Sequence, residues 1–80
     1  MAPYTGQYGP RRIWVEDGDM WYQREERGKF RLIAMGDRWF MLEGLDYFRI
    51  EFEQEGDKPA TSLIGNYQGG RQDQNARTGG

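Results

Sequence analysis

Four closely spaced carboxylates are the first candidates for chemistry. Glu51, Glu53, Glu55 and Asp57 follow one another at two-residue intervals, so Glu51 and Glu53 would share one face of a β-strand. Hard cations such as calcium prefer oxygen ligands of this kind. The spacing does not match that of a calcium-binding loop, and a solvated sheet edge is the simpler interpretation. We therefore expect no metal site at these residues.

The remaining candidates for catalysis lack the partners that catalysis needs. The hydroxyls of Thr61, Ser62 and Thr78 have no histidine to activate them, and the chain contains no cysteine. The other acidic group surrounds the first predicted hairpin, and turn chemistry accounts for its members, Glu16, Asp17 and Asp19. The sequence therefore predicts a noncatalytic protein without a cofactor.

Arginines interleave with aromatic residues, a composition found in proteins that hold single-stranded nucleic acid. Eleven Lys and Arg residues against thirteen Asp and Glu give a net charge of −2, which argues against binding to phosphates. We expect cross-strand ion pairs on a sheet surface instead. No apolar run approaches the length of a membrane span. The sequence therefore predicts neither a nucleic-acid partner nor a membrane span. The arginines concerned are Arg11, Arg12, Arg24, Arg31 and Arg49.

Glycines and Asp-Gly pairs divide the chain into short alternating segments, and no segment has helical periodicity with caps. We predict an all-β fold, an antiparallel meander of six or seven strands that forms a strongly curled sheet or a small open barrel. The domain covers residues 4–75, after N-terminal residues 1–3 and before a flexible tail at 76–80. The predicted strands are residues 4–8, 11–16, 19–25, 29–35, 38–43, 47–53 and 60–67.

The turns decide which side chains share a face of the sheet, because strand side chains alternate. Turns at Asp17-Gly18, at residues 26–28 and at Gly36-Asp37 gather one apolar set on a common face. This predicted core consists of Ile13, Val15, Met20, Tyr22, Phe30, Leu32, Trp39, Met41, Phe48, Ile50 and Phe52.

The same turns align a second apolar row on the opposite face. Its members, in cross-strand order, are Trp14, Trp21, Ile33, Phe40 and Leu42, flanked by Arg12 and Arg31. An exposed apolar patch usually marks a binding surface, and tryptophan with arginine is the composition of interface hot spots. Alternatively, the row lies inside a closed sheet or beneath the N-terminal segment or the tail. A different register would also remove it.

Several short motifs resemble a small β domain found at the C-terminal end of bacterial serine hydrolases. The hosts of that domain are β-lactamase-like or penicillin-binding-protein-like esterases and tail-specific-protease-like peptidases. The motifs are Tyr4-Thr5-Gly6-Gln7-Tyr8-Gly9, the Asp17-Gly18 hairpin, Trp21-Tyr22, Phe30-Arg31-Leu32-Ile33, residues 39–44, residues 48–52, and Leu63-Ile64-Gly65 with Gly70-Arg71. The resemblance implies an all-β accessory domain without catalytic residues, in a periplasmic or extracellular protein.

The leading functional prediction is a noncatalytic accessory or interaction domain, a C-terminal module of a larger hydrolase. It would bury the second row against its host domain or against a second copy in a homodimer. The alternative is a lipocalin-like module that holds a small apolar or sugar ligand inside the barrel. The residues predicted to bind that ligand are Tyr22, Trp39 and Phe52.

Overall fold

The computed structural model describes residues 2–79, which form eight antiparallel strands and one short 3-10 helix. Each strand pairs with the next along the chain, and the last pairs with the first, so the sheet closes into a barrel. Within residues 2–79, no helix is long and apolar enough to cross a membrane. After the helix Ala2–Tyr4 come β1 (Gly6–Tyr8), β2 (Arg11–Glu16), β3 (Asp19–Arg24), β4 (Phe30–Gly36), β5 (Trp39–Leu42), β6 (Leu45–Glu53), β7 (Ser62–Tyr67) and β8 (Gln72–Gly79).

The predicted all-β antiparallel class is confirmed, with eight strands and with full closure. Within residues 2–79, closure gives every strand a neighbour on both sides, whereas an open sheet of this size would expose two unpaired edges. Residues 76–79, predicted as part of a flexible tail, belong to β8. Their polar composition resembles that of a disordered segment, but β1 and β7 pair with this strand on either side.

The first hairpin has the predicted register. Ile13 pairs with Tyr22 and Trp14 with Trp21. The turn residues Asp17 and Gly18 have φ angles of 53° and 82°, the positive values that a type I′ turn requires. An Asp-Gly pair adopts them at little cost, so the local sequence determines this register.

The next connection is longer than predicted. Trp21 pairs with Arg31 and Tyr22 with Phe30, so the loop includes residues on both sides of 26–28. The shift of two residues keeps each side chain on its predicted face. It changes the cross-strand neighbours, however, and the predicted pairing of Trp21 with Ile33 is wrong.

At the β4–β5 turn the predicted register is wrong by one residue. Gly36 pairs with Trp39, so the turn is at Asp37 and Arg38, and a bulge interrupts β4 between Ala34 and Gly36. Arg38 adopts a φ of 66°, a left-handed value that is uncommon for residues other than glycine. An odd shift moves every side chain of a strand to the other face.

The faces of β5 are therefore the reverse of those predicted. Phe40 and Leu42, expected in the outer row, are buried in the core, whereas Trp39 and Met41, expected in the core, lie on the outside of the barrel. Val15, another expected core residue, is exposed beside the first turn. The remaining core predictions are confirmed, with Phe30 packed against the core rather than fully buried.

An aromatic cluster fills one end of the barrel, beneath the helix Ala2–Tyr4. The ring of Tyr4 stacks on that of Phe52 at 4.5 Å, and Phe40 meets both rings edge-on. Tyr8 is completely buried there and donates a hydrogen bond of 2.7 Å to the carbonyl of Tyr4. Burial raises the pKa of the Tyr8 phenol from 10.0 to about 12. The helix thus closes this end of the barrel.

Candidate functional site

The outer surface of β2 and β3 carries a cross-strand tryptophan pair. Trp14 and Trp21 are half-buried, as neighbours on adjacent strands. The guanidinium of Arg12 stacks over the Trp14 ring at 4.9 Å, and the ammonium of Lys29 lies 4.5 Å from the centre of the Trp21 ring. Cations placed over aromatic faces attract the ring electrons and cover the rings. This pair is therefore partly covered by the protein's own side chains.

Glu16 holds both indoles in position. Its carboxylate accepts a hydrogen bond of 3.1 Å from the Trp14 N–H, and its backbone carbonyl accepts one of 3.2 Å from the Trp21 N–H. The bond from Trp14 and the nearby Lys29 ammonium lower the pKa of the Glu16 carboxyl. The indole N–H groups are thus already occupied, and the pair has little polar capacity left for a partner.

Arg31 is the predicted interaction residue with the strongest internal pairing. Its guanidinium donates to Glu43 at 2.6 Å and lies 3.7 Å from Asp19. The hydrogen bond to Glu43 raises the pKa of Arg31, and the same bond lowers that of the Glu43 carboxyl. The side chain that follows it on the outer face, Ile33, is half-buried and pairs with Met41.

An exposed apolar patch lies further round the barrel, on β4 and β5. We call it the outer patch; it consists of Ile33, Met35, Trp39 and Met41. The side chains of Met35 and Trp39 are 50% and 37% exposed. Their neighbours across the β5–β6 boundary are charged, since Trp39 pairs with Glu51 and Met41 with Arg49. The outer patch therefore has an apolar centre and a polar border.

The run Trp-Phe-Met-Leu at residues 39–42 explains why the sequence did not identify this patch. All four residues are apolar, so hydrophobic alternation cannot tell which pair faces inward. Which pair faces inward depends on the position of the turn before them. Gly36 suggested a turn at Gly36-Asp37, whereas the turn is at Asp37 and Arg38. Of the predicted interaction residues, Trp14, Trp21, Ile33, Arg12 and Arg31 lie on the outer surface, and Phe40 and Leu42 do not.

A buried arginine organises the other end of the barrel. Arg11 was expected on a sheet surface, but its side chain is completely buried. It forms a bidentate pair with Asp73 at 2.8 and 3.1 Å, and it donates to Asn75 at 3.2 Å. Its remaining N–H groups donate to the hydroxyls of Tyr22 at 3.0 Å and Tyr67 at 2.8 Å. All five guanidinium N–H groups are thus satisfied.

The electrostatics of this Arg11 cluster keep the pair ionised. Burial lowers the pKa of Arg11, but the hydrogen bond to Asp73 and the charges around it outweigh burial and raise that pKa above its usual value. Burial likewise raises the pKa of Asp73, and the hydrogen bonds from Arg11 and Tyr67 outweigh it, so the pKa lies below 3.8. The buried Arg11 charge is tolerated because all five of its own N–H groups are paired and Asp73 balances the charge.

The local sequence contains only a weak signal for this cluster. Arg11 is separated from Asp73 by 62 positions and from Tyr67 by 56. A weak sign is the alternation of Asp73, Asn75 and Arg77, which would face inward if the segment formed a strand. The contact between Arg11 and Asp73 forms only when the two ends of the sheet meet in the closed barrel. The pattern of residues within one strand does not reveal such a long-range contact.

A cavity of about 130 Å³ lies beside the Arg11 cluster. Its wall includes Tyr22, Phe48 and Tyr67, whose rings also contact one another or Arg11. Of the three residues predicted to hold a ligand, Tyr22 lines this cavity. Phe52 belongs to the aromatic cluster at the other end, and Trp39 lies on the outer surface. The structure does not bring these three residues together.

Gly65 provides the space that the Arg11 pair occupies. A Cβ atom on Gly65 would lie 2.7 Å from an Asp73 oxygen and 3.0 Å from Arg11 Nη2. We expect Gly65→Ala to destabilise the fold by about 1–3 kcal/mol, because overpacking forces the pair to move. Urea denaturation monitored by tryptophan fluorescence measures the change.

The matched control is Gly36→Ala, since a Cβ atom at that strand position meets nothing within 4 Å. We expect its effect to stay within about 0.5 kcal/mol. Equal effects of the two substitutions would contradict the steric role of Gly65.

One of the acidic residues first considered for a metal, Glu53, has structural partners. Glu53 accepts a hydrogen bond of 2.6 Å from Gln74, and Ser62, which was considered as a nucleophile, also donates to Glu53. Across residues 2–79, no three His, Cys, Asp or Glu side chains are grouped so that they could hold a metal ion.

No family model, no curated protein and no solved structure matches this chain.

Proposed function

We propose that this chain is a noncatalytic interaction domain that binds a partner through the outer patch. The partner is a second copy of the domain or, as the sequence resemblance implies, a larger hydrolase chain. The chain has neither histidine nor cysteine, and the buried hydroxyl of Ser62 is hydrogen-bonded to Glu53. The outer patch is then the surface most suited to a function.

The exposure of Trp39 is the observation that carries this proposal. Among the described side chains, cations cover Trp14 and Trp21 but none stacks on Trp39. Trp39 pairs with Gly36, which follows the exposed Met35 in the chain, and an exposed apolar patch usually marks a binding surface. Tryptophan is a frequent hot-spot residue, and Glu51 and Arg49 supply the polar rim that surrounds such a centre.

Sedimentation equilibrium over a wide concentration range tests whether the partner is a second copy of the domain, which we call the second-copy form of the proposal. We expect the parent to self-associate and Trp39→Ser to weaken association at least ~30-fold, because losing a hot-spot residue costs ~2 kcal/mol or more. The control is Tyr47→Ser, which removes another exposed ring outside the outer patch. Trp14→Ser reveals whether the interface extends round the barrel to β2.

A thermal melt of each variant must accompany this measurement. If Trp39→Ser unfolds the domain, or associates as tightly as the parent, the outer patch is not the interface. A parent that stays monomeric at every concentration would contradict the second-copy form. The hydrolase form would then be tested by placing Trp39→Ser and Tyr47→Ser in the host protein.

A further inference from the structure

The cavity at the Arg11 end has a largely apolar wall, to which the side chains of Arg24 and Arg27 add hydrogen-bond donors. Five aromatic rings and two leucines form most of its lining, together with Arg24, Arg27 and Gly28. The lining residues that the structure describes include no carboxylate side chain. A ligand suited to this site therefore offers an apolar body and hydrogen-bond acceptors.

Tyr22 provides an unused donor at this cavity. Its side chain is 5% exposed, and its hydroxyl accepts the hydrogen bond from Arg11 Nε. Within residues 2–79, no group accepts the proton of that hydroxyl. Burial raises the pKa of Tyr22 and outweighs the opposite effect of Arg11, so the phenol stays protonated and can donate. A buried donor without an acceptor is a costly feature that a ligand can relieve.

Positive charge exceeds negative charge on the inner face here. Arg24 lies opposite Arg11 in the strand register, and both act on the single carboxylate of Asp73. The Nε atom of Arg24 is buried and has no hydrogen-bond partner among the described residues. Its nearest acid, an oxygen of Glu25, is 3.8 Å away on an exposed side chain, where an ion pair contributes little. An anionic group at Arg24 would balance this charge.

The cavity volume limits the size of the apolar part of the ligand. A cavity of about 150 Å³ with apolar walls holds one benzene ring, and this one measures about 130 Å³. We propose that the cavity binds a small aromatic monocarboxylate, with its ring among the aromatic side chains and its carboxylate bound by Tyr22 and Arg24. This site shares no residue with the outer patch, so the test of this proposal is independent of the function proposed above.

Titration of the folded chain with benzoate, followed by amide chemical shifts in two-dimensional NMR, tests the site. We expect saturable shifts at Gly28, Leu45 and Tyr67, with a Kd of roughly 1 mM or below for a ligand of this size. Benzamide has the same ring without the charge. We expect it to bind about tenfold more weakly, since hydrogen bonds to charged groups are the stronger ones.

Three variants assign the contacts. We expect Arg24→Gln to weaken benzoate binding about tenfold and to leave benzamide unchanged, because the lost interaction is ionic. Tyr22→Phe is expected to weaken both ligands about fivefold. Arg71→Gln is the control, since Arg71 stacks on Tyr67 at 4.4 Å but does not line the cavity.

Three results would overturn the proposal. The first is the absence of saturable shifts up to roughly 10 mM benzoate, ten times the expected Kd. The second is a set of shifts confined to the tryptophan-bearing outer surface. The third is an Arg24→Gln variant that binds benzoate as the parent does. This last test does not depend on Tyr22→Phe, which also removes a partner of Arg11.

Discussion

Asp73→Asn is expected to destabilise the barrel by about 3 kcal/mol at neutral pH. The substitution leaves the fully buried Arg11 charge without its counterion, whereas the amide retains one acceptor oxygen. Breaking a buried pair costs about 3–5 kcal/mol, and the low end applies because the Asp73 side chain is 42% exposed and partly screened. Urea denaturation at neutral pH measures the difference from the parent.

The pH dependence of this difference gives a sharper test. The folded-state pKa of Asp73 lies below 3.8, so its contribution to stability is complete above that value and is lost as the pH falls through the folded-state pKa. The difference in free energy of unfolding between parent and variant should therefore be constant down to about pH 4 and should become smaller below it. Asp57→Asn, at an exposed loop position, should produce no such difference.

A different pattern would count against this account. If Asp73→Asn matched the parent at neutral pH, the ion pair would contribute nothing. If the difference in free energy of unfolding persisted unchanged in strong acid, Asp73→Asn would destabilise the fold through packing rather than through charge.

Phe52→Ala should cost about 3–5 kcal/mol, the usual range for truncating a buried phenylalanine. Its ring is 1% exposed and lies against three others, at centroid distances of 4.5 Å to Tyr4, 5.6 Å to Tyr8 and 5.7 Å to Phe40. The helix Ala2–Tyr4 rests on this ring, so truncation removes the support of the closed end as well. Chemical denaturation gives the free energy of unfolding.

Tyr47→Ala is the matched control for Phe52→Ala. Tyr47 lies on the same strand, but its side chain is 52% exposed. We expect a change within about 0.5 kcal/mol. Comparable losses at the two positions would mean that strand propensity, rather than core packing, determines the effect.

The sequence predicts the fold class and the first hairpin because both depend on local signals. Asp17 and Gly18 favour the positive φ angles of a type I′ turn, and this turn determines the register of β2 and β3. The faces of β5 could not be predicted, since Arg38 adopts a left-handed conformation without any glycine at its position. The apolar run after it then fits either face equally well.

The candidate sites were predictable only in part. The tryptophan pair on β2 and β3 follows from the first turn, whereas the outer patch depends on the unpredicted bulge in β4. The Arg11 cluster depends on closure, because Asp73 reaches Arg11 only once β8 has joined the sheet. A strand whose inward residues are all polar resembles a tail until its partner is known.

The seam between β1 and β8 has a consequence for how the chain folds. Hairpins from β2 to β7 can form between neighbours, but pairing Gln7 with Gly79 requires ordering of nearly the whole chain first. Arg11 in β2 and Asp73 in β8 lie on either side of β1, so their ion pair crosses this seam. We therefore expect closure to be the late, slow event, with the ion pair between Arg11 and Asp73 stabilising the closed barrel. Weakening that pair should speed unfolding more than it slows folding.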